Sequence, residues 1–535
     1  MTSVDDPLTR LADAAGSDPP PRPATVPGLP LRPGLARLLV LLAVFLCAAC
    51  GLVYELALVA LGSQLLGDPV LQASLVLAVM VFAMGLGSLA AKPLQSWPVT
   101  AFVLVECLLA LLGGVCVLGL YAVFAWYGPS QLVLVLVALA VGFLIGTEIP
   151  LLMTLLQQIR RQDAGSAAAD LFAADYVGAL IGGLVFPFLL LPVLGQSRGA
   201  LATGAVNVVA GAAVVLWLFR RALSRTALTA LACVAALVLA ALGTAFSTTS
   251  RFEAMARHAL YGETVLLVDR TGEQELVLTR AGSADNPLSL HVDGGLLFST
   301  ATERRLHEAL VHPVMGGRHR SVLVIDSGDG LALREVLRYR GVTRAVQLGV
   351  NPAVARLAAT QPDLARLNAH ALTDPRVRSV AGDPLTWLRG RGDRFDLVVV
   401  DLPDPTDVAG AKLYSREFYG LVRRVLAPGG RLVVRTVAPA VAPAAFWSVD
   451  ASLRLAGLRA GRYALDLPGL GQQAFLLAAE RPLAPRLVRG APVPRWLTPA
   501  VLRAARTRVP TNPPRSALPS TLLQPRILEY LRDGY

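Results

Sequence analysis

Apolar residues are spread unevenly along this chain. From Leu35 to about Phe246 they form runs long enough to cross about 30 Å of hydrocarbon, separated only by short breaks. The pattern predicts seven spans, near Leu35 to Leu58, Val70 to Ala91, Val99 to Tyr127, Leu132 to Leu156, Ala167 to Val193, Ala200 to Phe219 and Thr226 to Phe246. Small residues recur at four-residue spacing, as in Gly142 and Gly146 or Gly178 and Gly182, which lets helix backbones approach closely. The expectation is a packed multi-span α-helical membrane bundle over residues 35–247, where a simple anchor would need one span.

After about Ser247 the runs shorten and are punctuated by charges, glycine and proline. Gly262 to Asp269, Glu275 to Arg280 and Leu288 to Val292 read as strands, joined by turns at Thr271-Gly272 and Asp293-Gly294-Gly295. They predict a small antiparallel β subdomain, with a helix over Glu303 to Val311 completing residues 248–320. From Ser321 strands and helices alternate, the mark of a parallel sheet with crossovers. Strands are predicted at Ser321 to Ile325, Ala345 to Leu348, Val377 to Val380, Leu397 to Val400 and Arg431 to Val434, and helices at Leu331 to Arg340 and Ser415 to Leu426, with Asn351-Pro352 starting another. This α/β domain covers 321–480, and a C-terminal extension follows over 481–535.

The run Leu397 to Val400 reads as a strand buried on both faces, and Asp401 stands where it ends. Pro403, Asp404 and Pro405 then force a loop at the carboxyl edge of the sheet, where ligands bind in open α/β folds. An aspartate after a strand is also an ordinary turn former or helix cap. Its company gives Asp401 more weight. The loop Asp326-Ser327-Gly328-Asp329-Gly330 follows the first strand, and Gly328 and Gly330 let backbone approach a nucleotide or adenosyl group closely. The loop lacks the full dinucleotide fingerprint. Asp329, Asp401 and Asp404 together would line one edge with acids, which suits a polycation and would also suit a divalent metal.

Composition adjusts this picture. With 535 residues, 54% hydrophobic content and a mean hydropathy of +0.56, the chain is too apolar for a soluble globule and too long for one domain. Residues 1–34, rich in Pro, Ala and Asp, read as a disordered tail. The net charge of +12 comes from scattered arginines without an aromatic platform, so nucleic-acid binding is not expected. Arg32, Arg37, Lys92, Arg160, Arg161, Arg220, Arg221 and Arg225 flank alternate spans and put the amino terminus in the cytoplasm. With seven spans this rule would put the large domain outside, against the expectation that it is cytoplasmic.

Glu55, Glu106, Glu148, Asp170 and Asp175 lie in or beside the spans. Acids at membrane depth are candidates for cation or proton binding, with Glu148 and Asp175 foremost; they could equally sit near the interface or be hydrogen-bonded to neighbouring helices. Asp170 follows a polar loop and reads as interfacial. All five cysteines fall in the apolar spans, and no disulfide framework or metal site is suggested.

Several ordered stretches resemble the polyamine aminopropyltransferases, or spermidine synthases, in the bacterial branch with a membrane domain in front. They are Leu260-Tyr261-Gly262-Glu263-Thr264, Gln274, His307-Glu308-Ala309-Leu310-Val311-His312-Pro313, Gly328-Asp329-Gly330, Gly382-Asp383, Asp401 to Pro405 and Leu413 to Tyr419. Pro519 to Leu523 and Arg526 to Tyr530 also look familial. The resemblance implies a methyltransferase-like (Rossmann-like) α/β fold and transfer of the aminopropyl group of decarboxylated S-adenosylmethionine to putrescine, without a further cofactor. It implies Asp401 as general base, helped by Asp404; Asp329 and His307 with Asp404 as polyamine ligands; and Gln274, Gly328, Gly330 and Asp383 as donor ligands. A bilayer and the amine are the partners it implies, and a homo-oligomer is compatible with it.

The departures fall on the adenosyl side. The family places a ribose-binding acid at the end of the second strand, where this chain has Gly349, with Asn351 where a second acid is usual. Asp326-Ser327 replaces glycines, and Glu273, Leu306 and Leu297 stand at positions where tyrosine, tyrosine and glutamine are expected. Two readings follow: an aminopropyltransferase with altered donor binding, or a non-catalytic descendant that binds, senses or transports polyamines.

Overall fold

The computed structural model describes residues 33–159, 164–271, 274–282, 286–488, 492–510, 512–514 and 517–533. The tail as far as Arg32, the loop residues Arg160 and Arg161, Gly272 of the first turn and Glu273 lie outside the described residues. The chain divides into two compact units: residues up to 61, 73–122 and 130–252 form the first, and 62–72, 123–129 and 253–535 the second.

Helices α1 (Pro33–Leu66), α2 (Pro69–Leu94), α3 (Pro98–Tyr127), α4 (Gln131–Ile159), α5 (Ala168–Leu218) and α6 (Arg225–Tyr261) are each long and apolar enough to cross a membrane. Among the described residues they are six where the sequence predicts seven. The predicted fifth and sixth spans join in α5, whose 51 residues would extend about 75 Å if straight, more than twice the hydrocarbon thickness. Inside the predicted interruption, Gly195 adopts φ 73° and ψ 176°, so a single non-helical residue replaces the expected loop. Short π-helical turns occur in α5 at Phe186–Leu190 and Val209–Ala213.

Glycines bring the helices together as their spacing predicts. A Cβ at Gly142 would lie 2.8 Å from the Met80 carbonyl oxygen, so α2 and α4 touch through backbone; Gly178 and Gly182 of α5 bear in the same way on Phe45 and Ala49 of α1. Arg37 of α1 forms an ion pair with Asp170 of α5.

The second unit opens with four antiparallel strands, β1 (Thr264–Thr271), β2 (Gln274–Arg280), β3 (Leu288–Val292) and β4 (Gly295–Ser299). Asp293 and Gly294 both have positive φ, 49° and 82°, the geometry of a tight hairpin turn, so the chain pairs again at once as the unanticipated β4. Leu276, Leu278, Leu290 and Phe298 of this sheet share a core with Val354 and Leu357.

Helix α7 (Glu303–Val311) leads to a seven-stranded sheet. Its strands are β5 (Ser321–Asp326), β6 (Arg344–Gly349), β7 (Val377–Ala381), β8 (Phe395–Asp401), β9 (Leu426–Thr436), β10 (Arg459–Leu467) and β11 (Gly471–Ala479), in spatial order β10, β11, β9, β8, β5, β6, β7. β5 to β9 are parallel, whereas β11 runs antiparallel to both β9 and β10. The alternation along β8 fixes its register: Leu397 and Val399 enter one core with Leu306, Leu310 and Val336, and Val398 and Val400 enter the other with Phe418, Phe446 and Trp447. β6 and β8 flank β5 on opposite sides, so the strand order reverses at β5, and the crevice beyond the carboxyl ends of β5 and β8 is the topological switch point. The resulting architecture is the expected helical bundle followed by a Rossmann-like domain with a small antiparallel sheet before it.

Candidate active site

Strand register sets the order of side chains along the carboxyl edge. Asp326 pairs with Asp401 on one side and with Gly349 on the other, and Gly349 pairs with Ala381. The edge therefore reads Ala381, Gly349, Asp326, Asp401, with Arg435 near the end of β9 beyond. A cleft here is lined by Leu297, Phe298, Leu306, His307, Ser327, Asp329, Asp401, Pro403 and Arg435. Three of the sequence-predicted amine-side residues, His307, Asp329 and Asp401, thus share one cavity.

Asp401 is buried between two cations. Its Oδ2 lies 3.0 Å from His307 Nε2, and its Oδ1 accepts from Arg435 Nη1 at 3.1 Å. Burial alone would raise its pKa, but Arg435 and His307 outweigh this and hold the carboxyl below its usual range. His307 has acceptors at both ring nitrogens, because Nδ1 lies 2.6 Å from the Glu303 carbonyl oxygen and 3.2 Å from Glu303 Oε2. Only the imidazolium can donate to both sides. Burial opposes that charge, yet the hydrogen bonds it donates to Asp401 and Glu303 prevail and push the pKa up to about 10.

Behind His307 the charges continue. Arg334 of α8 (Leu331–Leu337) grips Glu303 with both terminal nitrogens, at 3.0 and 2.8 Å, and donates Nε to Glu335 at 3.1 Å. Burial raises Glu303, but His307 and Arg334 bring it below its usual value. Glu303 and His307 stand four residues apart on α7, a spacing that puts both side chains on one face. Glu308, the next residue of the motif, is structural: its buried carboxylate accepts the backbone N–H groups of Arg495, Trp496 and Leu497.

The remaining acids have fewer charged partners. Asp329 Oδ1 accepts the Leu331 N–H at 2.8 Å; burial raises its pKa, only partly offset by His307. Asp326 Oδ1 accepts from Gly328 N and Gln347 Nε2, while its Oδ2 has no hydrogen-bond partner among the described residues. Burial and then Asp329 drive Asp326 well above the usual carboxylate range. Asp404 is exposed at the rim; desolvation raises it and Arg435 works against the rise. Its loop is fixed by Tyr414, whose buried hydroxyl donates to the carbonyls of Leu402 and Pro403.

The predicted donor residues occupy the other half of the edge. Gln274 Oε1 accepts from Asn351 Nδ2 at 3.0 Å, so the antiparallel sheet reaches the end of β6. Gly328 has φ 104°, and a Cβ there would meet Ala355 at 2.9 to 3.1 Å, which makes glycine necessary. Gly330 has φ 77° at the start of α8. Asp383 caps the next helix through Thr386 and pairs with Lys412 at 2.9 Å; burial is outweighed and its pKa falls. At Gly349 a Cβ would stand 3.1 Å from Gly328 Cα, so a side chain at the usual ribose-acid position would press on the glycine loop.

Arg435 and Glu303 are the functional-site residues that sequence reasoning missed. For Arg435 a signal exists, a lone cation closing the apolar run Leu432-Val433-Val434. In the first unit, Glu148 is buried and Asp175 half-buried, and Glu106, named among the five acids but not ranked with them, is completely buried.

The spermine/spermidine synthase domain family matches residues 303–482. Polyamine aminopropyltransferase 1 of Streptomyces coelicolor is 50% identical over 505 residues, covering 94% of this chain and 95% of its own. The polyamine aminopropyltransferase of Mycobacterium tuberculosis is 42% identical over 510 residues, covering 93% and 97%. Among solved structures, spermidine synthase from Thermotoga maritima aligns with 45% of this chain and 84% of its own at 22% identity and a TM-score of 0.40. The likeness to the curated relatives runs through the helical bundle as well as the site just described, and the chain belongs to the polyamine aminopropyltransferase family of transferases.

Proposed function

We propose that this chain transfers the aminopropyl group of decarboxylated S-adenosylmethionine to putrescine, giving spermidine and methylthioadenosine. The observation that carries the reading is the meeting of Asp401, Asp329 and His307 in one cleft at the topological switch point. The donor's sulfonium is already a leaving group, so the reaction needs no further cofactor. What it needs is an aligned neutral amine. An alkylammonium with a pKa near that of lysine, roughly 10, is about one part in a thousand neutral at pH 7, so a proton must be removed.

The acids divide that work. Asp401, held ionised by Arg435 and His307, accepts a hydrogen bond from the attacking nitrogen and aims it at the donor's methylene carbon. Asp404, with raised proton affinity and solvent at its side, relays the proton outward, and Asp329 holds the ammonium. Donor binding falls to Gln274, Gly328, Gly330 and Asp383, with Asn351 bonded to Gln274. The glycine at 349 leaves no bidentate acid for the ribose, which lowers donor affinity relative to a site that has one.

The helical bundle lies in a bilayer, and the second unit faces the cytoplasm, where the loop-charge rule places the amino terminus. An even number of crossings, with α5 counted once despite its length, would return the chain to that side. The test of the reaction uses the full chain in detergent with decarboxylated S-adenosylmethionine and putrescine. Methylthioadenosine is the expected product, and Asp401→Asn should cut its release by about 10²- to 10⁴-fold. Wild-type protein that binds putrescine but releases no methylthioadenosine would defeat the proposal.

A further inference from the structure

Inside the first unit, polar side chains from four helices meet with too few donors among them. Glu106 of α3 is completely buried, and Glu148 of α4 is 5% exposed. Glu148 faces Glu106, and two buried carboxyl groups side by side favour holding a proton over both ionising. Asn207 of α5, also completely buried, donates Nδ2 to Glu106 Oε2 at 2.7 Å, and the buried Cys47 thiol lies beside Glu106. Even so, among the described residues Glu106 Oε1, Glu148 Oε1 and Asn207 Oδ1 have no donor and the Tyr54 hydroxyl has no partner. The other titratable groups facing this cluster are Asp175, Cys50 and Cys116, none of them a cation.

The backbone is built around these groups. A Cβ at Gly211 would meet Glu106 Cγ at 2.7 Å, and one at Gly113 would meet the Tyr54 ring at 2.9 Å, so two glycines clear space for two polar side chains. Gly211 lies in the π-helical turn Val209–Ala213, directly after the helical turn that presents Asn207. Such single π turns within α-helices are often retained where a site needs them. Buried polar atoms without partners are costly in water-free surroundings, and the cost is greatest for acids.

We propose that Glu106, Glu148 and Asn207 form an intramembrane site for one hydrogen-bond-donating cation, a primary ammonium group or the proton that takes its place. A primary ammonium carries three N–H donors, matching the three open oxygens, whereas a lone proton fills one. Among the described residues no group of three metal-ligating side chains occurs, which sets this site apart from a metal centre. The choice of putrescine as the probe rests on the proposed polyamine chemistry; the existence of the site does not.

The test is infrared difference spectroscopy on the full chain in lipid nanodiscs, following the carbonyl band of protonated carboxyl groups. The wild type should show a band that disappears in the Glu106→Gln, Glu148→Gln double variant, with cooperative thermal unfolding confirming that the variant is folded. Asn207→Leu, which keeps both acids, should shift that band. If putrescine removes the band, the occupant is an ammonium; if the band follows pH and ignores putrescine, it is the proton. A band that is the same in wild type and double variant, or that answers to neither pH nor amine, overturns the proposal. Methylthioadenosine release measured on the same wild-type sample tests the catalytic reading separately.

Discussion

Both units of this molecule bury carboxyl groups, and they do so on opposite terms. In the second unit several buried acids are met by cations: Asp401 by His307 and Arg435, Glu303 by His307 and Arg334, and Glu335 by Arg334 and Arg338. In the first unit Glu106 and Glu148 meet an amide, a thiol and each other. The difference teaches where an external cation has a place. A site whose acid is already paired orients a ligand, whereas one whose acids lack a counter-charge has to take a cation in. The second unit contains a milder version of the same contrast, because Asp326, Asp329 and Asp404 lack the direct charge pairs of Asp401 and keep raised proton affinities.

Removing Arg435 is the strongest way to break the contrast, since it makes Asp401 resemble the acids of the bundle. Breaking one side of a buried ion pair costs about 3 to 5 kcal/mol, so Arg435→Leu should lower the urea midpoint markedly at neutral pH. The sign with pH follows from the depressed pKa of Asp401. Its contribution is present above the unfolded value, about 3.9, and is lost as pH falls through the lower folded value. The gap between wild type and variant should therefore be full at neutral pH and close at the acid end. A gap that persists undiminished in acid would mean that Arg435 acts through packing.

His307 gives a more gradual effect, spread over several pH units at the other end of the scale. Its folded pKa of about 10 lies above the unfolded value of about 6.5, so its stabilisation is complete below about pH 6.5 and is lost as pH rises through about 10. Between those limits wild-type stability should decline by up to about 1.4 kcal/mol per pH unit from this group, a slope that His307→Gln removes. Denaturation curves across that range check it. Equal slopes in the two proteins would show that His307 is neutral in the folded state and that Asp401 has only one cationic partner.

How much of this was legible in the sequence depends on whether an interaction is local. Strand positions, the Asn351 cap and the Ser415 helix start follow from apolar periodicity and capping chemistry, which act over a few residues. Asp401 and Asp329 were legible because strand ends and glycine loops have a fixed place in an α/β sheet. The pairing of Asp401 with Arg435 was not, because 34 residues separate them and only the order of β8 and β9 brings them together. Glu106 was named but not ranked first for the same reason: its partners Glu148 and Asn207 come from other helices. The interruption predicted between the fifth and sixth spans is present at Gly195, but as a single non-helical residue, because a break of one residue carries the same composition as a loop.

Tyr414 tests the smallest part of the contrast, the share of the amine side held by neutral hydrogen bonds. Its hydroxyl has one proton to divide between the carbonyls of Leu402 at 3.1 Å and Pro403 at 2.9 Å. The ring is buried, and Phe would fill the same space, so Tyr414→Phe removes one shared hydrogen bond without opening a cavity. The expected loss is about 1 kcal/mol, which would appear as a drop of that size in unfolding free energy. Because the bond fixes the loop that carries Asp404, a rise in KM for putrescine of about fivefold is expected if the whole energy is felt in amine binding. The change should be alike at every pH between the two carboxylate and histidine limits, since no titrating group is removed. A loss as large as that of Arg435→Leu would mean that the loop clamp, and not the charge pairing of Asp401, holds the amine side together.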